Sequence, residues 1–355
     1  MKKLLLVLSL LASLNIEAQF VTTLAKQVPE TQEDGIFYYL PKTVVKLEFT
    51  VEETHYYVGP YAEFATKLLG SNDHIKENKT ITTIKSVDIQ TVKDIDPSAL
   101  FFISLDEKSK DPLPNIILDE DGVILSYGYD KADFLQNTDD KDNSINELAE
   151  ELKPVTFIEI LDNEVELDDD DEEEGGAAKK ITKEDKAKVA LEHINKIRSA
   201  YFDLISGANE VNYGNTMSIM TDDMKALENE YVNLFKGKVS KNIYKKTVYV
   251  TPEANQGNAS LPVAKIGESV KIQFESNNTL SNITKTSDEA KSAGQINKLF
   301  YRIPAKSNVK ILVGNQIIAQ KQLIISQFGD IRIVSVKNNK VLFDQNTGQI
   351  ISITH

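Results

Sequence analysis

Asp168 to Glu174 is a run of seven acids followed by Gly175-Gly176. No core can take in such a tract, because like charges repel and a buried carboxylate without a partner is too costly. Whatever this chain folds into must be built on either side of it. The wider segment Asp162–Glu174 carries ten acids and no base, out of a formal net charge of −14. Removing Met1–Ala18, which reads as a cleaved segment, takes away two lysines and Glu17 and leaves −15, so everything outside the acidic segment carries only −5. The folded parts are therefore close to charge balance. That disfavours nucleic-acid binding, which needs a concentrated basic face. Only three arginines occur (Arg198, Arg302, Arg332), which argues against planar phosphate recognition. A calcium loop needs oxygen ligands at set positions on a turn, and an unbroken acidic run lacks that spacing. Residues 162–179 read as a solvated, flexible linker.

The N-terminus reads as a cleavable secretory signal. Lys2 and Lys3 precede an apolar stretch, Leu4 to Leu14, and Ala18 supplies the small side chain before a cut at about Gln19. Those 11 residues fall well short of the roughly 20 that a spanning helix needs. The chain has no cysteine. Lipidation after the cut, disulfides, thiolate catalysis and cysteine-ligated metals are thereby excluded. The expectation is an exported protein, periplasmic or extracellular, not a lipoprotein, with no transmembrane segment once the signal is removed.

Periodicity supplies the fold class. Val45, Leu47, Phe49 and Val51 alternate with Val44, Lys46, Glu48 and Thr50, the period of a strand with one apolar face. Tyr61 to Leu69 carries a helical stripe closed by Gly70. Ile81 to Val92, Leu100 to Leu105 and Asn115 to Leu118 read as further short strands. Asp121-Gly122, between two apolar triplets, signals a hairpin. After the linker, Thr182 to Ile205 opens on Thr182 as N-cap with Asp185 three residues on, and Gly207 closes it. Thr216 or Met217 to Phe235 repeats the helical pattern, stopped by Gly237. Its stripe of Met217, Met220, Met224, Leu227, Tyr231 and Leu234 reads as packing against the partner helix. Short β-type runs with turns at Gly314-Asn315 and Asn338-Asn339 follow. The expected class is α+β: a β-rich N-terminal part, an antiparallel helical hairpin, and a β-rich C-terminal part arranged as a sandwich or meander. The boundaries read as signal 1–18, N-terminal domain 19–161, linker 162–179, hairpin 180–240 and C-terminal domain 241–355. Phe37-Tyr-Tyr-Leu-Pro41 and Phe300-Tyr-Arg-Ile-Pro304 echo each other, and each proline reads as the end of a strand.

Catalytic patterns are missing: no phosphate-binding glycine loop, no Gly-x-Ser-x-Gly elbow, no His-Glu-x-x-His helix. His55, His74, His193 and His355 lie far apart, and Glu192-His193 falls on the polar side of its helix, where it reads as solvated. No metal site and no cofactor is expected. The most suggestive cluster is His55-Tyr56-Tyr57-Val58-Gly59-Pro60-Tyr61. His55, Tyr56, Tyr57 and Tyr61 are the candidate binding surface, a stacking platform for sugar rings or peptide. Against that stands the plainer reading of a strand end packing aromatics on the following helix.

Several ordered motifs resemble a known family. Gly35-Ile-Phe-Tyr-Tyr-Leu-Pro-Lys-Thr43 and Gly59-Pro-Tyr-Ala-Glu-Phe-Ala-Thr-Lys-Leu-Leu-Gly70 resemble the opening of the Bacteroidota family known as domain of unknown function 4831. Ile197-Arg-Ser-Ala-Tyr-Phe-Asp-Leu-Ile-Ser-Gly207, Leu227-Glu-Asn-Glu-Tyr-Val-Asn-Leu-Phe-Lys-Gly237, Phe300-Tyr-Arg-Ile-Pro-Ala305 and Gln327-Phe-Gly329 resemble its later landmarks in the same order. The resemblance covers about Phe20 to Val336, and the acidic linker and the stretch after Val336 read as additions. It implies an exported protein with no assigned activity, so no functional residue carries over.

The function expected from the sequence is a non-enzymatic envelope or secreted protein, binding or structural, with a glycan or an envelope protein as partner. The competing class is a glycan-directed hydrolase, which would need two carboxylates about 5 to 9.5 Å apart across a cleft.

Overall fold

The computed structural model describes residues 20–28, 34–105, 115–130, 155–165, 180–207, 216–276 and 295–355. The chain is α+β, with three antiparallel sheets and a helical hairpin. The described residues divide into two units. One draws on Met1–Phe49, Ser86–Glu147 and Lys246–His355, the other on Thr50–Lys85 and Leu148–Lys245. Three strands, β2 (Gly35–Tyr57), β3 (Lys79–Leu105) and β6 (Lys238–Val250), contribute residues to both.

In the first unit β1 (Phe20–Leu24) pairs with the end of β3, from Phe20 opposite Leu105 to Leu24 opposite Phe101. On its other side β1 pairs with β9 (Gln295–Ile296). The second sheet runs β11-β10-β8-β7, built from β7 (Ser260–Ile266), β8 (Glu268–Ser276), β10 (Lys298–Val313) and β11 (Gln316–Ser335). The third runs β13-β12-β5-β4, from β4 (Ile116–Leu118), β5 (Ile124–Tyr127), β12 (Lys340–Phe343) and β13 (Ile350–Thr354). Asp121-Gly122 joins β4 to β5, with Gly122 at a φ of 81° that a tight turn demands. The core gathers Phe20, Tyr38, Phe101, Ile103, Phe300 and Phe343 among others. Phe101 and Phe300 stack at 4.3 Å, and the buried Tyr38 hydroxyl accepts from the Phe300 N–H at 2.9 Å.

Two expectations are corrected here. Pro41 and Pro304 end no strand: β2 continues to Tyr57 and β10 to Val313. Proline is tolerated at Pro304 because the ladder is interrupted there. Ile303 faces Asp330 while Ala305 faces Ile325, so Ser326 to Gly329 bulge out of β11 opposite Pro304. The bulge is used. Gln327 accepts from the Thr43 N–H (2.9 Å) and donates to the Thr43 and Pro252 carbonyls (2.8 Å each). Phe328 meets Phe274 edge-on at 5.4 Å, and a Cβ on Gly329 would lie 1.7 Å from the Ile303 oxygen. Nor is the stretch after Val336 an addition to the fold. Val341 and Phe343 are buried in this core, and β12 lies between β5 and β13.

The second unit is built on α1 (Ala65–Leu69), α2 (Lys183–Ser206) and α3 (Thr216–Lys236). Thr182 caps α2 reciprocally: its hydroxyl accepts from the Asp185 N–H (3.2 Å) and its own N–H donates to the Asp185 carboxylate (3.0 Å). Gly207 closes α2 at a φ of 73°. Tyr61, Ala65, Ile160, Ala190, Ile194, Leu234 and Phe235 form the core. Away from it the hairpin is buried less evenly: Leu204 is buried, Met217, Met220 and Met224 are half-buried, Leu227 is exposed, and Phe202 and Ile219 lie open to solvent. His193 is not simply solvated. It stacks on Tyr231 at 4.9 Å with its Nε2 3.2 Å from the Glu164 carboxylate, because α3 and residues 162–164 both pack on its side of α2. Asp162 likewise pairs with Lys186 at 2.5 Å. Residues 166–179, which include the acidic run, lie outside the described residues.

Candidate functional site

The end of β2 sorts the candidate residues by strand alternation. Glu53, His55 and Tyr57 share one face. The His55 ring stacks on Tyr57 (6.3 Å), its Nδ1 lies 3.0 Å from the Thr80 hydroxyl, and its Nε2 lies 3.6 Å from the Glu53 carboxylate. Glu53 also accepts a 2.9 Å hydrogen bond from the Tyr244 hydroxyl, whose pKa is raised by burial and by that carboxylate. Tyr56 points to the opposite face, with the Lys79 ammonium 5.0 Å from its ring centre. Tyr61 is buried against Phe235 at 5.8 Å, and burial raises its hydroxyl pKa. The structure thus brings His55 and Tyr57 together, sets Tyr56 behind them, and places Tyr61 in the core.

Beside this strand end lies a cleft of about 340 Å³, walled by Val58, Gly59, Pro60 and Ala62 and rimmed by Glu63, His74, Lys76 and Lys183. Its wall is pinned to the C-terminal end of α3. The last carbonyls of a helix have no partner within it, and here Tyr61 N–H donates to the Leu234 oxygen (2.8 Å) and Ile75 N–H to the Lys236 oxygen (2.9 Å). Close approach explains the glycines. A Cβ on Gly59 would lie 2.3 Å from the Leu234 oxygen, and one on Gly237 would lie 2.3 Å from the Tyr57 oxygen. Val58 N–H donates to the Asn78 side chain at 2.7 Å.

The charges on the rim differ in how far they are engaged. Lys183, the first residue of α2, pairs with Glu63 at 2.7 Å, both more than half exposed. Lys76 is exposed and makes no ion pair among the described residues. The His74 Nδ1 is shut off from solvent and has no hydrogen-bond partner among the described residues.

The first unit holds a second cleft, of about 430 Å³, on whose rim lie Thr43, Lys93, Gln322 and Asp344. Its charges serve the fold. Lys93 sits between Asp119 (2.6 Å) and Asp121 (2.7 Å). Burial alone would lower the pKa of Lys93, but the two carboxylates outweigh that and raise it. Asp344 Oδ1 accepts from the Asn346 N–H (3.0 Å) and from the Thr347 N–H and hydroxyl (2.8 Å each), which holds its own turn.

Among the described residues no group of three or more His, Asp or Glu could hold a metal ion, and no helix is long and apolar enough to cross a membrane. Sequence reasoning found the Gly59-Pro60 turn and the strand before it. It did not single out Lys76 or Lys183, and it read His74 only as an isolated histidine. His74 and Lys76 share one loop, Lys183 lies far along the chain, none belongs to a motif, and the cleft that all three line brings them together.

Fold and site together define an α+β chain of three antiparallel sheets whose glycine joints hold an open, polar-rimmed cleft. Residues 34–351 match the family described as Domain of unknown function (DUF4831), and the chain belongs to that family. The match runs through β12 into β13, past Val336, in keeping with the core role of Val341 and Phe343. No curated protein and no solved structure matches the chain.

Proposed function

We propose that this is an exported, non-enzymatic binding protein, released by cleavage after Ala18 into the periplasm or the exterior, and that the cleft beside Gly59-Pro60 is where it binds. The observation that carries this reading is the state of the carboxylates at the two clefts. Glycoside hydrolysis needs a pair about 5 to 9.5 Å apart, one of them available as a proton donor. Among the described residues each cleft is lined by a single carboxylate, Glu63 in one and Asp344 in the other, and Asp119 and Asp121 beside the second are both held by Lys93. Glu63 is paired with Lys183 and Asp344 is occupied with its own turn. The pinned wall suits binding, since a site held rigid by backbone hydrogen bonds needs little ordering when a ligand arrives.

The test is a screen of the purified chain against glycans and peptidoglycan fragments, reading both thermal shift and product release. A stabilising ligand recovered unchanged is the expected outcome. Turnover of any substrate that Glu63→Gln or Asp344→Asn abolishes would overturn the reading in favour of a hydrolase.

A further inference from the structure

We infer that the ligand of this cleft carries a single negative charge, a carboxylate on a small, otherwise neutral body, with Lys76 as its principal anchor. The inference rests on the binding reading above and adds the chemistry of the ligand. The rim of Lys76, Lys183 and Glu63 carries a formal net charge of about +1. A monoanion matches that charge, whereas phosphate brings nearly two. Lys183 already has its carboxylate. Lys76 has none among the described residues, so a ligand carboxylate would gain a charge-assisted bond without displacing an existing one. Lysine is a point charge that asks no planar, two-pronged partner, which fits a single carboxylate oxygen.

The rest of the cleft fits the body behind that carboxylate. Val58, Pro60 and Ala62 present aliphatic surface opposite the polar rim. A volume of about 340 Å³ lies at the small end of ligand sites, enough for one sugar ring or a short peptide end. The wall keeps this shape without ligand, because the hydrogen bonds of Tyr61 and Ile75 to the end of α3 and that of Val58 to Asn78 are already made.

Two sources share this chemistry, a sugar acid and a peptide C-terminus. The experiment titrates the ¹⁵N-labelled full chain with D-glucuronate, N-acetylalanine and D-glucose, following the amides of Gly59, Ala62 and Lys76. Glucuronate, N-acetylalanine or both should shift these amides, with glucose far weaker. Whichever carboxylate binds more tightly names the source. Lys76→Ala should weaken that binding by about tenfold, while Lys241→Ala, on exposed sheet elsewhere in the same unit, should leave it unchanged. Glucose binding as well as glucuronate, or full affinity in Lys76→Ala, would overturn the charge assignment and leave the binding reading standing. If none of the three probes moves these amides, the carboxylate inference is refuted, while the binding reading is still judged by its own screen. Turnover of a substrate would sink the binding reading instead.

Discussion

Arg302 and Asp96 offer the sharpest physical test of the first unit. Arg302 is almost wholly buried, and its Nη2 donates to the Asp96 carboxylate at 2.5 Å. Its Nε is also buried and has no partner among the described residues, so Asp96 is the counter-charge that the guanidinium relies on there. Asp96 is placed differently. Its side chain keeps 14% of its exposure, and it accepts from the Ser98 N–H (3.0 Å) and hydroxyl (2.6 Å). The two ends of one ion pair should therefore cost different amounts to remove. Asp96→Asn strands a buried cation and should lose about 3–5 kcal/mol. Arg302→Met removes the buried charge, keeps most of the packing volume, and leaves a carboxylate that Ser98 and water still serve, so it should lose only about 1–2 kcal/mol. Urea unfolding at neutral pH measures both.

The pH dependence adds a second constraint. Burial alone would raise the pKa of Asp96, but the Ser98 hydrogen bonds and the Arg302 charge outweigh it and hold the carboxyl below its ordinary range. A depressed folded-state pKa means that the unfolded chain takes up the proton first as pH falls. The stability that Asp96 contributes is thus present above about pH 4 and is lost as pH drops from there through the folded-state value. The gap between wild type and Asp96→Asn should narrow over that interval. If Arg302→Met costs as much as Asp96→Asn, or the gap stays constant down to about pH 3, the asymmetric burial argument is wrong.

Other joints give further expectations. Gly329→Ala forces the Ile303 carbonyl aside and should lose more than about 3 kcal/mol by urea unfolding, whereas Gly207→Ala, in open space at positive φ, should lose about 1 kcal/mol. Gln327→Ala strands the Thr43 N–H and two carbonyls behind the bulge and should lose about 1–3 kcal/mol in the same assay. Thr182→Ala removes the α2 cap and should lower stability by about 1 kcal/mol, visible as earlier loss of the helical circular-dichroism signal on heating. If the N-terminal segment is the cleaved signal proposed above, N-terminal sequencing of the mature protein should begin at about Gln19; retention of Met1 on a membrane-bound product would refute cleavage.

What was legible in the sequence is what local chemistry decides. The α2 start follows from Thr182 and Asp185 alone, the ends of α2 and α3 from Gly207 and Gly237, and the β4–β5 turn from Asp121-Gly122. Strand length was not legible. β3 runs through Pro97 and β10 through Pro304, because the cost of a proline depends on whether its neighbour needs the missing N–H, and that neighbour is far away in the chain. Pairing was hidden for the same reason. Phe20 meets Leu105, Val341 meets Tyr127, and Phe101 stacks on Phe300, and nothing in the local alternation of any of these strands names its partner. The tyrosine cluster illustrates both halves. Alternation alone separates Tyr56 from His55 and Tyr57, but the burial of Tyr61 needs Phe235, on a helix that begins far downstream.

The motifs singled out in the sequence have a physical reading that bears on function. Gly59 and Gly237 let the β2 turn and the end of α3 touch; Phe300 and Tyr38 lock two strands; Gln327 and Gly329 shape the β11 bulge. All of these are joints. Of the groups that give the cleft its charge, Lys76 and Lys183 stand outside every one of those motifs, and only Glu63 falls within one. The joints fix the backbone around the cleft, while the charge of its rim comes chiefly from side chains outside them. The two classes of residue should then separate cleanly in experiment. Alanine at Gly59, Gly237 or Gly329 should cost stability with or without ligand, and alanine at Lys76, exposed and without an ion pair among the described residues, should leave the unfolding midpoint unchanged while weakening the bound state alone.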